Sequence, residues 1–378
     1  MRALSLTQFV REPEIVDLLR DLIRIDSSNP PGLEEPVAQL LADFLAGSGL
    51  EVTIDRFEAG RANLVARWCG NGRKSALLFS GHLDTVPASP FAWTHPPHSA
   101  AMEGGVVYGR GAVDMKGAVA AMAGACLGLA RARMELAGDV IFAGSAGEEV
   151  DCAGALRLVS QGIGPVGELV VGEATRLDVA PAHKGALWIE IETAGKAAHG
   201  SMPNQGSNAI LFMRDVINRL DGFRADVPAH PLLGPATVSI GTIRGGTKPN
   251  IVPEACTLTV DLRTLPGESH ADILEQLRSR LGGVAIRTLN SMPAVETPVS
   301  APLIESALEI TRNLRNPNLR GMTYFSDASV LAGALGVPTL IFGPGDERLA
   351  HQADEHIAVD EVIIAAQVYF ELAQRRLQ

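Results

Sequence analysis

Residues 76–87 read Ala-Leu-Leu-Phe-Ser-Gly-His-Leu-Asp-Thr-Val-Pro, an apolar run of strand length that is followed by His82 and Asp84. A short run without polar alternation is typical of a strand buried on both faces, as in a parallel sheet. Three further runs stand before polar residues in the same way: 140–143 before Glu148 and Glu149, 169–171 before Glu173, and 339–342 before His351. Because ligands collect at the carboxyl ends of parallel strands, we expect these side chains to converge in an α/β domain.

Taken singly, each of these polar residues has an ordinary interpretation. A His-x-Asp pair is usually a surface histidine beside a turn, two adjacent glutamates are usually a solvated acidic pair, and a lone loop histidine usually binds nothing. Asp114 directly precedes the apolar stretch 116–131, which is the position of a helix N-cap. Taken together, the residues supply one histidine, one private carboxylate and one shared aspartate for each of two metal ions. The set therefore predicts a two-metal hydrolase.

The donor types indicate which metal fits. Imidazole and carboxylate ligands without a thiolate favour zinc, with cobalt or manganese as substitutes, and argue against magnesium. In an extended segment His82 and Asp84 point to one side, so Asp84 is placed to orient the His82 ring. The adjacent Glu148 and Glu149 point to opposite sides. One of them can then bind metal while the other faces the substrate.

Composition limits the class of partner. At 378 residues the chain exceeds the usual size of a single core, so two domains are expected. Acidic residues outnumber basic ones by 43 to 32, which argues against nucleic acid or an anionic membrane and leaves small molecules or peptides. The 4 cysteines form no C-x-x-C pair. With no signal-peptide layout at the N-terminus and no segment judged apolar enough to span a bilayer, we expect a cytoplasmic protein.

The order of predicted elements divides the chain. Helices and buried strands alternate up to residue 178 and again from 292 to 378, which indicates an α/β catalytic domain with a mostly parallel sheet. Between them, 179–291 predicts the order β-α-β-β-α-β, which is the ferredoxin-like α+β arrangement of two helices on a four-stranded sheet. Signatures of other enzyme classes are absent from the sequence, since it has no G-x-S-x-G elbow and no P-loop.

Four motifs in order resemble one enzyme family: 81–87 (Gly-His-Leu-Asp-Thr-Val-Pro), 109–117 (Gly-Arg-Gly to Asp-Met-Lys-Gly), 147–149 (Gly-Glu-Glu) and 245–253 (Gly-Gly-Thr-Lys-Pro-Asn-Ile-Val-Pro). The family is that of the dinuclear zinc amidohydrolases and exopeptidases, which includes acetylornithine deacetylase, succinyl-diaminopimelate desuccinylase, aminoacylase and the glutamate carboxypeptidases. The resemblance extends over nearly the whole chain and identifies the inserted 179–291 segment as a lid and dimerisation domain.

The resemblance also implies roles for individual residues. His82 and Glu173 would hold one Zn²⁺ and Glu149 and His351 the other, with Asp114 bridging them and a cis peptide between Asp114 and Met115. Glu148 resembles the general base and Asp84 the residue that orients His82. In the lid, His199 resembles an oxyanion-stabilising residue that acts across a homodimer, and Asn250 and Arg263 resemble positions that bind the substrate carboxylate. At 324–327 the chain departs from the family pattern, with Tyr-Phe-Ser-Asp where relatives often have Thr-Asp or Gly-Thr.

The predicted reaction is hydrolysis of the amide bond of an N-acyl amino acid, as in acetylornithine deacetylases or succinyl-diaminopimelate desuccinylases. A dipeptidase or a glutamate-type carboxypeptidase with the same metal site is the alternative. A metal-free binding relative should have lost ligands, whereas every ligand position here is filled.

Overall fold

A computed structural model of the chain describes residues 4–90, 93–224 and 226–378. The chain divides into two compact units, which we call the first unit (1–182, 296–320 and 326–378) and the inserted unit (183–295 and 321–325). The boundaries predicted from the sequence, 178/179 and 291/292, differ by four residues from those of the structure at each junction. The short segment 321–325 belongs to the inserted unit because Gly321 packs against Leu232 and Leu233.

The helices and strands of the described residues follow one another in this order: α1 (Glu12–Arg24), α2 (Glu35–Leu45), β1 (Glu51–Glu58), β2 (Arg61–Trp68), β3 (Ala76–His82), β4 (Met102–Glu103), β5 (Val106–Tyr108), α3 (Gly117–Arg131), β6 (Val140–Ser145), α4 (Ala153–Gln161), β7 (Val166–Val171), β8 (Val179–His183), β9 (Gly185–Ala194), α5 (Ala209–Leu220), β10 (Thr237–Gly245), β11 (Ala255–Thr264), α6 (His270–Leu281), β12 (Ala285–Met292), β13 (Val295–Glu296), α7 (Pro302–Arg312), β14 (Leu319–Met322), α8 (Ala328–Leu335), β15 (Thr339–Ile341), β16 (His356–Ala358) and α9 (Val359–Leu377).

A nine-stranded sheet forms the centre of the first unit, in the order β1-β2-β6-β3-β7-β15-β8-β13 with β14 on β8. Its middle strands β6, β3, β7 and β15 run parallel, and every residue of β3 and β6 is buried. The apolar runs of the sequence therefore form strands covered on both faces, as predicted. The predicted fold class, an α/β domain with a mostly parallel sheet and an inserted lid, is confirmed.

The outer helices bury the apolar stripes that their spacing predicts. In α1, the stripe of Ile15, Leu19 and Leu22 is at most 1% exposed, and two acidic residues in the first turn complement the positive end of the helix dipole. The core of the first unit lies between this layer and the sheet, and it also includes Phe79 and Phe142 from the central strands.

One helical segment, Ala112–Arg131, is long and apolar enough to cross a membrane by length and composition, and 94% of its apolar window is buried inside the protein. The expectation that no segment would pass this test is therefore wrong. The reason is packing, because α3 lies under the central sheet and is covered by α1 and α9, so an apolar residue is favoured at almost every position of the helix.

The inserted unit is a four-stranded antiparallel sheet in the order β10-β11-β9-β12 with helices α5 and α6. Alternate residues of β9 and β11, such as Ile189, Ile191, Leu258 and Val260, join the inner faces of the two helices in a separate core. Asn208 caps α5 by accepting hydrogen bonds from the amides of Ile210 and Leu211. The chain order β-α-β-β-α-β agrees with the ferredoxin-like arrangement predicted from the sequence.

Candidate active site

The parallel strands of the first unit bring the predicted residues to one edge of the sheet. His82 is the last residue of β3, Glu148 and Glu149 follow β6, Glu173 follows β7, and His351 lies in the loop after β15. In the register of the sheet His82 pairs with Ser145, the last residue of β6, so the two strands end at the same level. The side chains that follow these strands are therefore neighbours in space although they lie far apart in sequence.

Asp114 stands at the centre of this group. Its Oδ1 atom lies 2.9 Å from Nε2 of His82, and its Oδ2 atom lies 3.1 Å from Nε2 of His351. Glu149 Oε2 lies 3.3 Å from His351 Nε2, and Glu173 Oε1 lies 3.8 Å from His82 Nε2. Each histidine thus has one carboxylate of its own and shares Asp114 with the other.

The turn at Ala112–Lys116 presents Asp114 to the two histidines. Asp114 and Met115 have non-helical backbone angles inside this turn, and the peptide bond between them is cis, as the family resemblance implied. The helix α3 starts directly afterwards, at Gly117. The N-cap residue of α3 is Lys116, two positions after Asp114, so the ordinary interpretation of Asp114 as the helix cap is wrong.

Asp84 is fully buried, but its carboxylate has closer partners than the ring it was predicted to orient. The Nδ1 atom of His82 lies 3.0 Å from the main-chain oxygen of Asp84 and 3.5 Å from its carboxylate. That carboxylate accepts hydrogen bonds from the amides of Glu148 (3.2 Å) and Glu149 (3.3 Å) and from the side chain of Asn29 (2.9 Å). Asp84 therefore holds the Glu148–Glu149 loop, while its main chain holds His82.

Burial and mutual repulsion shift the protonation of this group. Burial, together with the charge of Asp114, raises the pKa of Glu173 to about 8. Burial also raises the pKa of Glu149, and it raises the pKa of Glu148 well above its usual range. Hydrogen bonds to Asp114 and Glu149 raise the pKa of His351 to about 10. The cluster is short of positive charge.

The geometry suits a divalent cation. Among the described residues, candidate ligand atoms of His82, Asp114 and Glu149 all lie within 4.8 Å of one another. Two imidazoles and three carboxylates, with no thiolate, provide the donor set that zinc, cobalt and manganese accept. Metal ions would also supply the positive charge that this buried acidic cluster lacks.

The inserted unit carries the predicted oxyanion-stabilising residue and the two predicted substrate-binding residues, and it does not bring all three together. His199 forms an isolated bridge with Ile251, next to Asn250, and its Nδ1 atom accepts a hydrogen bond from the Ser201 amide at 3.1 Å. Arg263 lies near the other end of the sheet, and the eight steps along β11 from Ala255 to Arg263 span roughly 27 Å. The Arg263 guanidinium instead hydrogen bonds to Asp261 at 3.0 Å.

Four further residues support the site and were not selected from the sequence. Asn29 gives no signal because Asn-Pro-Pro resembles an ordinary turn. Asp327, which is 2% exposed and bonded to Ser145, directly precedes α8, and an aspartate at a helix start is an ordinary cap in sequence. Arg110 lies in the motif 109–117 and Glu355 follows the loop of His351, and the structure joins their side chains at 2.6 Å. A pairing of residues so distant in sequence leaves no local pattern that could have shown it.

The fold and the site define a metallohydrolase with an inserted α+β domain, and comparison with known proteins agrees. The model of Peptidase family M20/M25/M40 matches residues 78–375. The chain is 31% identical to the acetylornithine deacetylase of Myxococcus xanthus, with 93% of this chain and 94% of the relative covered. It is 28% identical to a probable succinyl-diaminopimelate desuccinylase of Staphylococcus epidermidis, with 97% and 98% covered.

Among solved structures, the chain is similar in fold to the YXEP protein of Bacillus subtilis, a dinuclear metal-binding peptidase of the M20 family. The TM-score is 0.74 at 18% identity, and the similarity covers 97% of this chain and 98% of that one. This chain belongs to peptidase family M20/M25/M40. The predictions of this family and of a metal-dependent hydrolase of amide bonds are confirmed.

Proposed function

We propose that this protein hydrolyses the amide bond of a small N-acyl amino acid and releases the free amine. The observation that carries the proposal is the convergence of two histidines and four carboxylates at one edge of the sheet, with Asp114 between the histidines at 2.9 and 3.1 Å. The names of the two curated relatives, a deacetylase and a desuccinylase, support this choice over cleavage of peptides.

We assign two metal ions to this site. His82 and Glu173 would hold one ion, His351 and Glu149 the other, and Asp114 would contact both. Zinc fits these donors best, and cobalt or manganese are possible substitutes. When bound, such a pair of cations polarises a substrate carbonyl and lowers the pKa of water enough for attack near neutral pH.

Glu148 is the base that this arrangement provides. Burial and the neighbouring carboxylates raise the pKa of Glu148 well above that of an ordinary glutamate, although the charge of His82 opposes this shift. It is therefore available to accept a proton from the attacking water and to transfer it to the leaving nitrogen. The Asp84 hydrogen bond to its amide keeps the side chain at the edge of the site.

We further propose a homodimer formed through the inserted unit. Strand β10 is an edge of the four-stranded sheet, and nearly all its residues are exposed. Ile240 and Ile243 on β10 are 44% and 51% exposed, and Leu211 and Phe212 on α5 are 50% and 44% exposed. An open strand edge with exposed apolar residues is a surface that a second copy can extend.

The positions of Asn250 and Arg263 support the dimer. Asn250 precedes the start of β11 and Arg263 lies near its end, so one small carboxylate cannot contact both residues of the same copy. If both bind substrate, they come from different subunits. We propose that Arg263 binds the substrate carboxylate and that His199 and Asn250 act at the site of the partner subunit, where His199 donates a hydrogen bond to the developing oxyanion.

A hydrolysis screen tests the proposed reaction. Zinc-loaded protein is incubated with N-acetyl amino acids, N-succinyl amino acids and dipeptides, and the released amine is measured. The control is Glu148→Gln, which should reduce hydrolysis of every substrate by about 10²- to 10⁴-fold. If dipeptides are hydrolysed faster than every acyl amino acid, the protein is a dipeptidase and the proposed deacylase function is wrong. Hydrolysis that persists in Glu148→Gln would show that the reaction occurs elsewhere.

A further inference from the structure

Glu355 is a buried carboxylate to which the proposed reaction gives no role. The residue is 1% exposed and receives four hydrogen bonds. Its Oε2 atom accepts from Nη1 of Arg110 at 2.6 Å and from the amide of Gly111 at 3.1 Å. Its Oε1 atom accepts from the amides of Val113 at 2.8 Å and of Asp114 at 3.1 Å. The carboxylate thus organises the turn that presents the Asp114 side chain.

Arg110 extends this arrangement to the other loop of the site. The residue is 2% exposed, and its Nη2 atom donates to the main-chain oxygen of His351 at 3.3 Å. Its guanidinium also lies over the ring of Trp93, 5.3 Å from the centroid. The backbone of His351 has a φ of 65° and that of Asp354 a φ of 54°, a region that non-glycine residues rarely adopt. The loop that carries His351 needs such contacts to keep this conformation.

We infer that Glu355 and Arg110 form a clamp that positions two of the proposed metal ligands, Asp114 and His351. The inference rests on the proposed metal site. Two of the three ligands of the ion assigned to Glu149 and His351 depend on the clamp, whereas only Asp114 does so at the ion assigned to His82 and Glu173. Loss of the clamp should therefore lower the affinity for the ion at Glu149 and His351 more than the affinity for the ion at His82 and Glu173.

The clamp differs from a buried ion pair that only stabilises the fold. Three of the four donors to Glu355 are main-chain amides, and these amides belong to one short segment, 111–114. A main-chain amide cannot move without moving its residue, so the carboxylate fixes the backbone on which Asp114 is carried. Outer partners of metal ligands typically contribute about 10- to 100-fold to metal affinity.

Glu355→Gln tests the inference with little change in volume. The glutamine oxygen can accept from Val113 and Asp114, but its amide nitrogen then faces Arg110 and Gly111, which are both donors. The matched control is Glu168→Gln. Glu168 accepts hydrogen bonds from the Arg376 side chain at 2.9 to 3.1 Å at the opposite end of β7. This control breaks an arginine–carboxylate pair without removing a main-chain hydrogen bond near the site.

Metal affinity is the first measurement. Zinc-loaded proteins are titrated with a competing chelator. The number of ions retained per chain is measured at each chelator concentration, so that the loss of the first ion and the loss of the second are seen as two steps. We expect Glu355→Gln to lose one ion at a chelator concentration about 10- to 100-fold lower than the wild type, with a smaller change for the other ion and none in Glu168→Gln. If Glu355→Gln binds both ions with the affinity of the wild type, the inference of a clamp is wrong.

Amide hydrogen exchange of the metal-free protein separates this result from a failure of the metal site itself. Glu355→Gln should increase exchange at Gly111, whose amide loses its acceptor, even without metal. If the wild type binds fewer than two ions, the proposed two-metal site is wrong. The exchange rates of the metal-free proteins still show whether Glu355 holds the 111–114 segment. If Glu355→Gln does not fold, Arg110→Lys replaces it. This variant should lose the contact to His351 and weaken the same ion, and unchanged affinity would overturn the clamp.

Discussion

Replacing Asp84 should weaken both the fold and the active site, because its carboxylate is the acceptor for three buried donors. These donors are the amides of Glu148 and Glu149 and the side chain of Asn29, at 2.9 to 3.3 Å. Each buried donor left without an acceptor costs about 1–3 kcal/mol. If all three donors stayed unpaired, Asp84→Ala would decrease the free energy of unfolding by about 3–9 kcal/mol. Water that enters the space left by the side chain accepts hydrogen bonds from some of these donors, which makes the decrease smaller. We expect a decrease of about 3–5 kcal/mol in the free energy of unfolding.

Turnover should decrease for a separate reason. The same hydrogen bonds hold the loop that carries the proposed base, and a displacement of about 1 Å in such a group can cost about 10²-fold in rate. Urea unfolding followed by circular dichroism measures stability, and steady-state hydrolysis by the folded fraction measures turnover. Asp84→Asn is the control, because its amide oxygen can still accept from the loop and should retain more of both quantities. A loss of less than about 1 kcal/mol in Asp84→Ala, with normal turnover, would refute this account of the loop.

The other predictions concern the base, the dimer and a buried histidine. Glu148→Gln should lose about 10²- to 10⁴-fold in turnover and keep its metal, whereas Glu149→Gln should lose one ion; equal metal content in the two variants would contradict the division of roles. Mixed Glu148→Gln and His199→Ala subunits should regain activity after exchange, because a heterodimer that has His199 acting in trans contains one complete site; no recovery despite exchange would show that His199 does not act in trans. Burial lowers the pKa of His183 from 6.5 to about 4, so the unfolded chain binds more protons in this range, and stability should fall by about 3 kcal/mol as the pH decreases from 6.5 to 4. Urea midpoints across this range should change less in His183→Gln, and an equal change would show that His183 is not responsible.

Much of the fold follows from short-range patterns in the sequence. The stripe of Ile15, Leu19 and Leu22 predicts α1 because side chains three and four residues apart share one face of a helix. Unbroken apolar runs predict the central strands, because a strand covered on both faces has no polar side. The element order of the inserted unit follows from the same periodicities. These features depend on residues within a few positions of one another, so a single sequence contains them.

The ligand types at the strand ends were also visible in the sequence, but their arrangement was not. From the sequence alone, Asp114 could be a helix cap. The structure distinguishes a shared ligand from a cap, because the two carboxylate oxygens of Asp114 lie 2.9 and 3.1 Å from the Nε2 atoms of His82 and His351. That distance depends on the parallel pairing of β3, β6, β7 and β15, which brings together residues from 82 to 351.

The supporting contacts were decided by the tertiary structure alone. Asp84 was predicted to orient His82, and the structure adds that its carboxylate holds the Glu148–Glu149 loop, 64 and 65 residues away. Arg110 and Glu355 are 245 residues apart and meet because β16 pairs with β5, which places His356 opposite Tyr108. A hydrogen bond acts over about 3 Å, so its partners are set by which loops the fold brings into contact, and the local sequence determines only which donors and acceptors are available.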